Sequence, residues 1–168
     1  MNGPLIYILD ANVFMEAARR YYAFDIAPTF WQALVEHAEN GQLLSIDRVK
    51  KEIDRGKDML TDWANSEFNQ WFISTDDPNV IDSYSQIITW AQRQDQFNDS
   101  AKEEFYKVDN ADPWVVAFSM AKRCIVVTHE QFDSNVRVRI PIPNVCQAFG
   151  VEYIDTFLML RDLGVRLG

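Results

Sequence analysis

The run Leu-Ile-Tyr-Ile-Leu at residues 5–9 places five large side chains in succession and stops at Asp10. A strand with one face in water alternates polar and apolar residues. A short continuous apolar run therefore reads as a strand covered on both faces, the middle of a parallel sheet. Parallel neighbours cannot be joined by tight turns and need crossover connections, usually helical.

The rest of the chain supplies that alternation. Pro28–Glu39 repeats apolar residues at helical spacing (Phe30, Trp31, Leu34, Val35, Ala38), with Gly41 as a stop. Leu43–Ile46 reads as a second strand, and Asp47 is placed to cap a helix ending at Gly56, with Val49 and Ile53 inward. Residues 57–72 and Pro78–Gln92 carry two further helical patterns, while the polar stretch 93–104 reads as a surface excursion. Asp112–Lys122 opens on Asp-Pro, a good helix start. Residues 124–127 form an apolar strand, 136–140 alternate polar and apolar, and 143–149 are helical. A last strand at 151–154 and a last helix at 155–163 complete the pattern. The expectation is an α/β/α sandwich with a mainly parallel sheet, in one domain over residues 1–168.

Composition narrows the function. Hydrophobic residues make 48% and charged residues 24%, which is globular rather than disordered. No apolar run approaches the length of a membrane span, and the first residues lack the basic segment of a secretory signal, so the expected location is the cytoplasm. Cys124 and Cys146 match no zinc spacing and read as small buried hydrophobes. Twenty-five acids against 16 bases leave a net charge of −9, which excludes a broad basic face for nucleic acid. Acid-rich chains still act on phosphodiesters when carboxylates gather around divalent cations, since the bound cation reverses the local sign.

Four acids are placed to gather. Asp10 follows the first strand and Glu130 lies just beyond the strand 124–127. Asp112 begins the helix leading into that strand, and Glu52 sits on a helix between inward-facing Val49 and Ile53. In α/β sheets the active crevice lies at the carboxyl ends of the strands. Each acid also has an ordinary reading: Asp10 as a turn starter, Asp112 as a helix cap, Glu52 as part of a solvated charged face.

The segments Tyr7-Ile-Leu-Asp10-Ala-Asn12-Val-Phe14, Val49-Lys-Lys-Glu52-Ile53, Ala111-Asp112-Pro-Trp-Val-Val-Ala117 and Val126-Val-Thr128-His-Glu130 resemble, in order, the four motifs of PIN-domain nucleases. The resemblance runs from Leu5 to Ile154 and extends to toxin-type, VapC-like members and an uncharacterised bacterial subgroup. It implies a PIN-like fold and a Mg²⁺- or Mn²⁺-dependent endoribonuclease, the toxin of a type II toxin–antitoxin pair, with Asp10, Glu52, Asp112 and Glu130 holding the metal. It implies RNA as substrate, an antitoxin as partner and a homodimer. Asn12 and Thr128 would orient these ligands. The fourth motif ordinarily ends in Asp, whereas here it ends in Glu130, so Asp133 is an alternative or additional ligand; Asp109 is another. Arg19, Arg20 and Lys50 are the candidate substrate contacts, beside Tyr21 and Tyr22.

Two histidines, His37 and His129, give poor material for a histidine-pair mechanism. A receiver-type phosphorylation domain would want an early acid pair and a late lysine, which are not evident. A structure-specific DNA nuclease shares the site chemistry, and an inert PIN-like scaffold shares the strands; retention of all four acids disfavours the second.

Overall fold

A computed structural model describes residues 3–168. The first strand, β1 (Tyr7–Leu9), leads through α1 (Ala11–Glu16), a π-helical turn (Ala17–Tyr21) and α2 (Pro28–Glu39) to β2 (Leu43–Ile46). Then come α3 (Asp47–Gly56), α4 (Met59–Ser66), a 3₁₀ turn (Asn69–Trp71) and β3 (Phe72–Ile73). The second half runs α5 (Pro78–Gln92), α6 (Asp99–Tyr106), α7 (Asp112–Lys122), β4 (Ile125–Val127), α8 (Ile142–Phe149), β5 (Tyr153–Ile154) and α9 (Thr156–Asp162).

The five strands form one parallel sheet in the order β3-β2-β1-β4-β5, flanked by helices. Strand β1 is central, with Tyr7 opposite Leu43 of β2 and Ile125 of β4. The chain first winds outward from β1 to β3, then returns to β4 on the other side. This makes the β1–β4 junction the topological switch point, where crevices open in such sheets. The Asp10 N–H donates to the Val127 carbonyl at 3.1 Å and holds the two strand ends together there.

Burial explains the strands. All three residues of β1 and of β4 are buried, as the continuous apolar runs require. Beneath β1 and β2 lies an aromatic nucleus in which Phe14 packs at 5.8 Å, centroid to centroid, from both Phe68 and Phe72. Gly41 follows α2 with φ 72°, a left-handed conformation that glycine adopts without strain.

The structure departs from the sequence reading in four places. Within residues 57–72 the helix stops at Ser66 and β3 follows, because Phe72 and Ile73 pair with Ser45 and Ile46; a strand of two residues has no period to detect. The stretch 93–104 is not an excursion: Asn98 accepts the Ala101 N–H at 2.8 Å and starts α6, whose inward residues are Ala101 and Phe105. Asp47 does not cap α3; its carboxylate accepts from the Thr75 N–H and hydroxyl at 3.2 and 2.9 Å, tying α3 to the segment after β3. Residues 136–140 stay outside the sheet. Both cysteines are free and buried.

Candidate active site

Asp10 leaves β1 with its side chain 1% exposed. One oxygen, Oδ1, accepts the Val13 N–H at 3.1 Å and caps α1, so Asp10 starts a helix where the ordinary reading of its sequence has a turn. The other oxygen, Oδ2, is buried without a hydrogen-bond partner. Burial pushes the Asp10 carboxyl up to about 7, helped by the charge of Glu130 and opposed by the nearby Thr128 hydroxyl and the N–H groups of Val13 and Asn12.

Glu52 reaches inward from α3, flanked by buried Val49 and Ile53. Its Oε1 accepts the Ala111 N–H at 3.1 Å, just before α7. Burial raises its carboxyl despite that bond and the charge of Arg55. Asp112 is the first residue of α7, and its side chain makes no capping bond. The Asp112 N–H is taken instead by the Asn110 side chain at 3.0 Å, which leaves the carboxylate to the cleft. Burial holds its carboxyl well above the ordinary range, and the charges of Glu130, Asp10 and Glu52 add to the rise while Arg139 opposes it.

Glu130 comes three residues past β4, where its N–H donates to the Thr128 hydroxyl at 3.1 Å. Its Oε2 accepts the Ile142 N–H at the start of α8, at 3.4 Å, and its Oε1 pairs with Arg139 at 3.2 Å. Burial raises its carboxyl against both contacts. Asp10, Glu52 and Glu130, from three separate elements, thus all press on Asp112. Among the described residues no three His, Cys, Asp or Glu side chains are already closed around one point as a finished cation site.

The remaining candidates fall elsewhere. Asp109 is exposed and faces Arg55 at 3.8 Å; Asp133 is exposed, accepts the Asn135 N–H at 2.9 Å and is bracketed by Asn144. Neither charge acts on Asp112, though that of Asp109 adds to the rise of Glu52. Asn12 is exposed at the cleft wall, and its backbone rather than its amide supports Asp10. Arg19 and Arg20 lie exposed on the π-helical turn, Arg20 facing Glu16 at 3.6 Å, while Lys50 pairs with Asp54 at 2.8 Å.

The cleft beside Glu130 is lined by Asn12, Glu16, Tyr21, His129, Gln131 and Arg139. Nothing local to Arg139 in the sequence signals a partner nine residues back. His129 Nε2 lies 3.0 Å from the Thr156 hydroxyl, and burial lowers the ring's pKa.

A parallel five-stranded sheet with acids at its switch point is the architecture of the PIN domain, and the chain has that fold. It belongs to DUF4411, a family described as a domain of unknown function, whose model matches residues 7–167. No curated protein matches it in sequence. Among solved structures it is similar to VapBC2 from Rickettsia felis bound to a DNA fragment from their promoter, at TM-score 0.54 and 14% identity over 90% of this chain and 98% of that one. FitAcB from Neisseria gonorrhoeae is similar at TM-score 0.52 and 17% identity, covering 88% and 96%. VapBC-1 from nontypeable Haemophilus influenzae follows at TM-score 0.52 and 12% identity, covering 90% and 98%. No helix among the described residues is long and apolar enough to cross a membrane.

Proposed function

We propose that the chain is a Mg²⁺- or Mn²⁺-dependent endoribonuclease acting as the toxin of a toxin–antitoxin pair, with Asp10, Glu52, Asp112 and Glu130 as its catalytic acids. One observation carries this reading: three acids crowd Asp112 beside an Asp10 oxygen that is buried and unpartnered. Without a cation that arrangement only costs stability, because like charges and desolvation both penalise the ionised forms. Hard carboxylate oxygens are the donor set that Mg²⁺ and Mn²⁺ take, so the residues present fit such an ion. When bound, the cation supplies Lewis acidity toward water and toward the phosphate oxygens of a diester.

The chain's own groups do the rest. Burial and neighbouring charge penalise the ionised forms of Asp10 and Asp112, and a bound cation would relieve that penalty. The Val13 and Ala111 N–H groups fix one oxygen each of Asp10 and Glu52 and so aim the free oxygens. Thr128 anchors the turn that delivers Glu130. The pairing with an antitoxin draws on the VapBC and FitAcB assemblies of similar fold, and on an acidic cleft that suits a partner offering basic residues.

The test expresses the chain alone and beside its neighbouring open reading frame, and follows growth and RNA integrity, with purified protein assayed in Mn²⁺ and in EDTA. Growth arrest relieved by Asp10→Asn and by the neighbour, with metal-dependent RNA cleavage, is the expected result. Harmless expression with no cleavage of any RNA defeats the proposal.

A further inference from the structure

Beside the acids lie two adjoining clefts that share Tyr21, His129 and Glu130, one of about 460 Å³ that also takes in Glu16 and Arg139 and one of about 510 Å³ that takes in Phe157, both within the roughly 300–1,000 Å³ of ordinary ligand sites. Their walls carry two chemistries besides the acids. One is aromatic: Tyr21 stands 5.8 Å from the His129 ring and 5.7 Å from Phe157, and His129 stands 6.2 Å from Phe157. Tyr21 is 49% exposed and Phe157 38%, so the three rings form an open shelf and not a piece of core. The other is cationic. The Arg139 guanidinium is more than half exposed, and its one ion pair places it on Glu130 at the edge of the acid cluster.

Sequence position does not bring these groups together; the fold does. The helix that begins at Ala11 widens into a π-helical turn at Ala17–Tyr21, a device frequent at functional sites, and Tyr21 is its last residue. His129 sits between Thr128 and Glu130 after β4, and its bond to Thr156 fixes the ring toward α9, which carries Phe157. Open rings adjoining one arginine match a single nucleotide unit: the face takes the base and the guanidinium takes a phosphate.

We infer that the shared edge of these two clefts is a subsite for one unpaired nucleotide of the substrate strand, its base stacked on Tyr21 against His129 and Phe157 and its phosphate held by Arg139. The inference rests on the nuclease reading above. It makes Tyr21 a positioning residue, because stacking sets where the strand lies and touches no reacting atom. A base held in a duplex cannot reach the shelf, so the subsite selects against paired RNA at that position.

The test uses the full chain carrying Asp10→Asn, in Mg²⁺, so that RNA is bound without being cut. Affinity is measured by fluorescence anisotropy for a single-stranded RNA and for a series with one abasic sugar moved along it. Binding should weaken by about 5- to 150-fold at one abasic position, the span of one base–aromatic stack. Adding Tyr21→Ala should weaken the intact RNA by a similar factor and remove the sensitivity to that position, while Tyr21→Phe restores both. Thermal melting confirms that each variant is folded, and the exposed position of Tyr21 makes folding failure an avoidable confusion. If Tyr21→Ala leaves affinity unchanged, or the abasic loss persists in it, the subsite is refuted while the nuclease reading stands. If the chain without these substitutions cuts no RNA in Mn²⁺, both fall together.

Discussion

The carboxylate of Glu52 accepts the backbone N–H of Ala111 at 3.1 Å across 59 residues of sequence, joining the middle of α3 to the start of α7. One oxygen therefore has a structural duty and the other is left for the cleft, so the two roles separate by mutation. Ala111 is 1% exposed, and removing its acceptor strands a buried donor. Glu52→Ala should cost about 1–3 kcal/mol of stability. Glu52→Gln keeps an acceptor oxygen and removes a charge that burial already penalises, so it should melt at or above the parent temperature without metal. Both variants should lose RNA cleavage by orders of magnitude. Activity retained in Glu52→Gln would remove Glu52 from the catalytic set.

What was legible in the sequence is what the local chain decides. Strands β1 and β4 and helix α7 were readable because each has a boundary residue, Asp10, Thr128 or Asp112, set against an unbroken apolar run. The four acids were readable for the same reason, since each stands at or near an element's end. Strand β3 was not, because Phe68, Trp71 and Phe72 imitate helical spacing while the two-residue pairing with β2 is set by contact alone. Helix α6 has no legible period within residues 93–104, because its second apolar anchor, Phe105, lies just past that polar stretch. Arg139 reaches the site from a loop, and a loop's destination has no periodicity to betray it.

Phe14 ties the aromatic nucleus to the helix that Asp10 caps. It is fully buried and touches the rings of Trp63, Phe68 and Phe72. Phe14→Ala leaves a cavity that rigid neighbours cannot refill, and should cost about 3–5 kcal/mol, or roughly 6–20 °C in Tm. Phe14→Leu keeps most of the volume and should cost distinctly less. Equal losses in chemical denaturation would show that the nucleus is not close-packed around this ring.

Cation binding should raise stability by mass action, about 2.7 kcal/mol when Mn²⁺ is at a hundred times its Kd. The rise should be lost in Asp112→Asn, because Asp112 is the group on which the other acids press. Asp109→Asn and Asp133→Asn should keep it, since Asp109 faces Arg55 in solvent and Asp133 is occupied with the Asn135 N–H. Scanning calorimetry with and without EDTA separates these cases. A Tm rise abolished by Asp133→Asn and intact in Glu130→Gln would transfer the fourth ligand from Glu130 to Asp133.

The pH dependence of metal-free stability follows from Asp10. Its carboxyl is pushed from an ordinary value near 3.8 up to about 7 by burial. Between those limits the unfolded chain has lost the proton and the folded chain still holds it, so the folded state binds more protons and stability falls as pH rises. The expected contribution is a decline of about 1.4 kcal/mol per pH unit across that window, levelling above pH 7. Asp112 is raised for the same reasons and steepens the decline. Asp10→Asn carries no proton to lose and should flatten the slope, and saturating Mn²⁺ should flatten it in the parent by favouring the ionised acids. Urea titrations in EDTA from pH 4.5 to 8 measure the slope directly. Stability rising with pH through this range would mean that the Asp10 carboxylate is solvated or paired, and the crowded acid cluster would lose its physical basis.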